Sequence, residues 1–217
     1  MQTAGTTLKQ RAIRNLVRQA GHPQGIVGSA VGWLFALRGS NRRRNIWAVS
    51  LLNVRPTDRV LEIGFGPGIA VAEFARHATQ GHVFGVDHSR TMVRQAARRS
   101  AAAVRARRVH LTQASVERLP SFGDPLDAIL AVNSVLFWPD PVERLRELRR
   151  LLRPAGRIAL VSQPRSPGAT RDTTVRAAQE LQDMLTQAGF TRLRVEFLEL
   201  DPPVACVLAD NPPDNPA

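Results

Sequence analysis

The run from Val60 to Ala75, Val-Leu-Glu-Ile-Gly-Phe-Gly-Pro-Gly-Ile-Ala-Val-Ala-Glu-Phe-Ala, constrains the fold more than any other stretch of the chain. A short apolar strand ends at Glu62-Ile63, a turn carrying Gly64, Gly66 and Gly68 follows, and an amphipathic helix begins. Glycines in such a turn let backbone pass close to a ligand, and the helix N-terminus adds N–H donors without intrahelical partners. Asp87 stands 23 residues after Gly64, at the end of the next apolar run, Val83 to Val86. A carboxylate at that place can accept both hydroxyls of a ribose. Together these features describe a nucleoside-cofactor site at the edge of a parallel sheet. A ligand-free strand–helix turn is the plainer alternative, but it leaves the register of Asp87 unexplained. Asp87 alone could cap the following helix, a role that Ser89 can fill instead.

Strands and helices alternate from there on. Apolar runs predict strands near 59–63, 83–87, 108–112, 126–132 and 157–162, with a terminal pair at 191–200 and 204–209. Helical spacing predicts helices near 68–78, 90–104, 140–152 and 173–188. The alternation implies a doubly wound α/β layer. Before the sheet, residues 6–20, 26–37 and 41–53 read as helices, the last through Ile46, Val49 and Leu52. The expected organisation is an N-terminal helical extension over 1–53, one sheet domain over 54–209 and a polar, Pro-rich tail over 210–217 that is expected to be disordered.

The spacing of the glycines separates two nucleoside cofactors. A dinucleotide fingerprint is G-x-G-x-x-G/A. Counted from Gly64, its last small position falls on Ile69, so the match fails. The pattern present, Glu62-x-Gly64-x-Gly66-x-Gly68, resembles the first motif of class I S-adenosylmethionine-dependent methyltransferases. Val83 to Ser89 with Met92 resembles that family's second strand and ribose-binding acid, and Ala114 to Pro120 its adenine-flanking loop. Leu126 to Asp140 resembles its fourth strand and the turn beyond, and Leu151 to Ile158 the approach to its fifth strand. The likeness spans residues 46–209, closest to the ubiquinone/menaquinone-biosynthesis-like branch that acts on small molecules. It implies a Rossmann-like seven-stranded, mostly parallel sheet with helices on both faces and an antiparallel last strand.

The resemblance also implies the site. S-adenosylmethionine would be the cofactor and S-adenosylhomocysteine the product. Asp87 would bind the ribose, with His88 beside it. The backbone of Gly64-Phe65-Gly66 and Gly68 would approach the methionine portion, and Glu62 would orient its amino group. Ser115 and Val116 would flank the adenine, although the family commonly has Asp where Ser115 stands. Asn133 and Ser134 would contact the cofactor at the end of the fourth strand. Phe137, Trp138 and Trp47 are candidates for the acceptor pocket; for the first two, packing under the next helix is an equal alternative. The glycine-containing apolar segment 26–37 would suit a lid over the site, or a helix laid on the sheet. No catalytic base is identifiable, and His88 reads better as an adenosine-side or surface residue.

The acceptor is less constrained. The net charge is +12, nearly all from arginine, with Lys9 the only lysine. Such a basic chain can meet nucleic acid, anionic lipid or an acidic substrate. The arginines are dispersed, however, and those of 144–153 alternate with Glu143 and Glu147 in i,i+3 pairs that suit a solvated helix face. The histidines and the single Cys206 show no ligand spacing, so no metal is expected. The lone cysteine and the absence of an 18-residue apolar run predict a cytoplasmic chain. The favoured reading is methyl transfer to O, N or C of a small metabolite, which can be apolar. The alternatives are an RNA or protein methyltransferase and a non-catalytic S-adenosylmethionine-binding protein. The Asn/Asp-Pro-Pro-aromatic motif common in base amino-methylation is replaced here by Asn133-Ser134-Val135-Leu136. Nothing in the sequence identifies a self-complementary surface.

Overall fold

The computed structural model describes residues 39–166 and 168–213. The expected helices at 6–20 and 26–37, and the end of the tail, lie outside the described residues. The described chain begins with helix α1 (Gly39–Leu51), then β1 (Arg59–Ile63), α2 (Ile69–His77) and β2 (His82–Asp87). It continues through α3 (Arg90–Arg99), α4 (Ala101–Arg105), β3 (Val109–Gln113), β4 (Leu126–Val132) and a 3-10 turn at Val135–Phe137. It ends with α5 (Pro141–Leu151), β5 (Leu152–Ser162), α6 (Arg171–Gln187), β6 (Thr191–Leu198) and β7 (Val204–Asp210). The strands form one seven-stranded sheet in the order β3-β2-β1-β4-β5-β7-β6, with β7 antiparallel to both neighbours.

Strand alternation sorts the core into two apolar layers. Leu61, Ile63, Ile129, Ile158 and Leu160 face Leu145 and Leu148 of α5 and Leu181 and Leu185 of α6. Val60, Leu130, Ala159 and Val161 face Val49 of α1, Phe74 of α2 and Met92 of α3. Cys206 is fully buried in the second layer, where desolvation pushes its thiol pKa up. Among the described residues no helix is long and apolar enough to cross a membrane.

Three elements depart from the sequence reading. The helix expected over 90–104 breaks at Ser100, whose backbone leaves helical angles (φ −106°, ψ 23°) while its N–H still bonds Ala96. Strand β5 starts at Leu152 rather than 157, because the chain pairs once at Leu126–Leu152 and then bulges before rejoining at Ala128–Arg157. Ala155 takes a positive φ of 57° within that bulge. Strand β7 reaches Asp210, and Asn211 is buried, donating to the carbonyls of Leu152 and Arg153, so ordered chain passes the boundary expected at 209. On α5, Arg146 pairs with Glu143 as expected, but Glu147 pairs back to Arg144 rather than forward to Arg150.

Candidate active site

The carboxyl ends of β1, β2, β4 and β5 lie side by side, and in open α/β sheets ligands bind beyond that edge. The Gly64 N–H donates to Val86 O at 2.7 Å, which ties the β1 turn to β2. Ser134 Oγ donates to Ile63 O at 3.0 Å, which ties it to β4. The glycines of the turn differ in what demands them. A Cβ on Gly64 would lie 2.6 Å from Ser134 Cβ, and one on Gly68 2.5 Å from Ala96 Cβ. A Cβ on Gly66 would meet nothing within 4 Å. Gly68 thus serves the packing of α2 against α3, and Gly66 borders open space. The Phe65 side chain turns away into the core over Gly85.

Asp87 is buried at the end of β2. Its Oδ2 accepts the Gly66 N–H and its Oδ1 the Ser89 N–H, both at 2.8 Å. Burial raises its pKa, and those two amides and His88 oppose the rise. A carboxylate oxygen has two acceptor positions, so each Asp87 oxygen can take one more donor. Ser89 caps α3, accepting the Met92 N–H. His88 is half exposed, its Nδ1 3.8 Å from Asp87 Oδ1.

Beyond β3, Ser115 spends its hydroxyl locally, accepting the Glu117 N–H and donating to Glu117 Oε2. The Val116 side chain is buried in the core. After β4, Asn133 holds a left-handed backbone (φ 52°) and its Oδ1 accepts the Gln163 N–H at 2.7 Å, joining the ends of β4 and β5. The 3-10 turn then exposes Leu136 (66%) and Phe137 (57%), whereas Trp138 is buried beneath α5. Trp47 packs against the core from α1.

Glu62 is 1% exposed on the α1 face of the sheet, and its Oε2 has no hydrogen-bond partner. Burial and the nearby Asp87 drive its pKa well above the carboxylate range, against the Val71 amide and Arg44. An orphaned buried carboxylate oxygen beside a glycine turn with one open face fits a ligand that brings a cation.

Sequence reasoning missed the polar wall opposite Glu62. The buried face of α1 carries Asn41, Arg44 and Asn45 above Ala48 and Val49. Arg44 Nη1 donates to Gln163 Oε1 at 2.9 Å. Arg165 Nη2 donates to the same oxygen at 2.9 Å and to Asn41 Oδ1 at 2.7 Å. The signal that could have found Arg44 is its helical phase with Ala48 and Leu52. No group of three or more metal-ligating side chains occurs among the described residues.

The family model described as a methyltransferase domain matches residues 60–156. An uncharacterized methyltransferase of Bacillus subtilis, YdaC, is 28% identical over 179 residues, covering 82% of this chain and 97% of the relative. The ubiquinone/menaquinone biosynthesis C-methyltransferase UbiE of Geotalea daltonii is 29% identical, over 57% of this chain and 53% of the relative. The chain thus spans nearly all of YdaC but about half the length of UbiE. Among solved structures, the N-methyltransferase NodS from Bradyrhizobium japonicum, in complex with S-adenosyl-L-homocysteine, superposes with a TM-score of 0.67 at 16% identity, over 92% of this chain and 97% of that one. With the seven-stranded sheet and the glycine turn beside Asp87, the methyltransferase-domain match and the likeness to YdaC support a class I S-adenosylmethionine-dependent methyltransferase, and the likeness to NodS shows its fold.

Proposed function

We propose that this methyltransferase methylates O, N or C of a small metabolite bound against an apolar lip formed by Leu136 and Phe137. The observation that carries this reading is the exposure of two large apolar side chains, Leu136 and Phe137, in the turn that follows the carboxyl end of β4. The names of the relatives support a small acceptor and span carbon and nitrogen transfer. When bound, S-adenosylmethionine supplies a methyl group already activated by its sulfonium charge. The protein's contribution is then alignment, which can supply roughly 7–11 kcal/mol of barrier reduction.

In this reading the Asp87 carboxylate takes the ribose hydroxyls on its remaining acceptor positions while its two amide bonds hold it still. The Gly64–Gly68 turn admits the methionine portion on the open side of Gly66. Glu62 offers Oε2 to the amino group. Val116 and Ser115 border the adenine, with Ser115 acting through its backbone because its hydroxyl is engaged. Asn133 and Ser134 shape the floor between cofactor and acceptor, and His88 flanks the nucleoside. Trp138 supports the lip from beneath rather than touching the acceptor.

The test is calorimetry of S-adenosylhomocysteine with the parent and Asp87→Ala, followed by transfer of labelled methyl to hydroxylated aromatic metabolites, bulk RNA and protein. Binding that Asp87→Ala weakens at least tenfold, with label in a metabolite, is the expected result. Label in RNA or protein alone would overturn the small-acceptor reading. Equal binding by Asp87→Ala would overturn the cofactor site.

A further inference from the structure

We propose that the arginine-lined outer face of α3, α4 and the turn into β3 is a docking surface for the phosphate backbone of a nucleic-acid duplex. The inference goes beyond the small-acceptor reading and does not depend on it. Met92 and Ala96 place α3 in one apolar layer, whereas Val135 and Trp138, which flank the lip, belong to the opposite one.

Three observations lead to it. First, charge is segregated. From His88 to Val116 the chain carries seven arginines and no Asp, Glu or Lys. By contrast α2, α5 and α6 each include carboxylates among their arginines. Glu73 of the neighbouring α2 is already engaged by Arg76 and His77. Among the described residues none of the seven arginines makes an ion pair, whereas Arg144 and Arg146 of α5 both do. Second, the fold makes that charge one continuous face. Arg90, Arg94 and Arg98 follow one another in steps of four, about 6 Å apart along the helix axis, and all three are exposed. Arg105 and Arg107, also exposed, extend the line past α4. The line begins beyond the carboxyl end of β2 and ends just before β3 starts, so it runs the height of the sheet along its outermost strands. Arg99 Nε donates to Pro67 O at 2.9 Å and Arg108 Nη1 to Ala75 O at 3.1 Å, which fixes both guanidiniums on the α2 side with donors to spare. Third, the arrangement works against the helix that holds it. Like charges at i,i+4 repel, and Arg90 puts a cation in the first turn, at the positive end of the helix dipole, where no carboxylate offsets it. A row of anions along α3 relieves both.

A duplex presents one negative charge per ~1.7 Å of its axis, and a line of cations that neutralises it releases counterions. Guanidiniums match phosphate oxygens with their fork of donors. Single strands are held by stacking bases on aromatic side chains, and residues 88–116 include no Phe, Trp or Tyr. The face therefore suits the backbone of a duplex rather than its bases. A helix that lies on a membrane buries its apolar face in lipid. In α3 that face, Met92 and Ala96, is already buried against the sheet.

The experiment is fluorescence anisotropy of labelled DNA and RNA duplexes of mixed sequence with the parent and Arg94→Gln/Arg98→Gln. A control, Arg150→Gln/Arg176→Gln, removes the same charge from exposed positions on α5 and α6. The parent should bind, with log affinity falling linearly as log salt rises. Arg94→Gln/Arg98→Gln should bind about tenfold more weakly at ~50 mM salt, with a salt slope lower by about 2, one for each phosphate contact removed. The control should lose less than about threefold. Unchanged S-adenosylhomocysteine affinity reports that each variant is folded; if Arg94→Gln/Arg98→Gln fails that check, Arg105→Gln/Arg107→Gln carries the test. No binding of either duplex by the parent at ~50 mM salt overturns the proposal. Equal loss in the control overturns it too, because the attraction then belongs to net charge alone. Tighter binding to a single strand than to a duplex, or arginine-dependent binding to phosphatidylserine vesicles with none to a duplex, also refutes it.

Discussion

Gly66 and Gly68 adopt similar left-handed backbones, with φ of 52° and 75°, yet the structure gives them different tasks. Alanine at either position pays for a left-handed conformation, roughly 1–2 kcal/mol. At Gly68 the new methyl also strikes α3, lying 2.5 Å from Ala96 Cβ and 2.8 Å from its Cα. Overpacking of that kind adds about 1–3 kcal/mol. At Gly66 the methyl enters open space. The entropy that alanine removes from the unfolded chain is common to both and cancels in the comparison. Gly68→Ala should therefore unfold at lower urea than Gly66→Ala, by a difference worth roughly 1–3 kcal/mol at equal m. Affinity should order the other way. The middle glycine of such a turn is where backbone approaches the ligand, so Gly66→Ala should weaken S-adenosylhomocysteine about tenfold or more while remaining the more stable variant. Urea unfolding and calorimetry on the same preparations read both quantities. Equal destabilisation, or full affinity in Gly66→Ala, would refute the division of labour between the two glycines.

Glu62 makes a pH prediction. Its pKa is raised in the fold by burial and Asp87, so the folded state binds the extra proton. The associated stability is present below the ordinary carboxylate pKa and is lost as pH rises through the raised value. Glu62→Gln should flatten the fall of the urea midpoint on the alkaline side of the carboxylate range; a parallel fall in both proteins would count against it. The neighbouring aromatics make another. Phe137→Ala, at an exposed position, should change stability by no more than about 0.5 kcal/mol while raising the acceptor KM. Trp138→Ala should cost about 3–5 kcal/mol, and the reverse pattern in thermal melts would sink the assignment of Phe137 as lip and Trp138 as core.

What the sequence made legible was whatever is local in the chain. Strand β1 occupies the residues its apolar run predicts, and in a doubly wound sheet the residues at and just past each parallel strand's carboxyl end fall on the same edge. Glu62, Asp87, Asn133 and Ser134 could therefore be placed together by counting. The start of β5 was hidden because Arg153-Pro154-Ala155-Gly156 bulges out between two pairings with β4, and a bulge leaves no periodic trace. Phe137 and Trp138 are adjacent and both aromatic; only the 3-10 turn decides which one is buried. Arg44 was hidden twice. It ends the run Arg42-Arg43-Arg44 in a chain already crowded with arginine. The phase chosen for its helix, Ile46, Val49 and Leu52, also steps by three. Each such step drifts by about 60° around a helix of 3.6 residues per turn, so Ile46 lies far from Leu52 and is only partly buried. Steps of three and four back from Leu52 run through Ala48, Asn45, Arg44 and Asn41, the face that is buried. A strict amphipathic search rejects that face because its upper half is polar. That polarity is what a helix needs if its lower half packs on the sheet while its upper half meets the polar side chains of Gln163 and Arg165 past the end of β5.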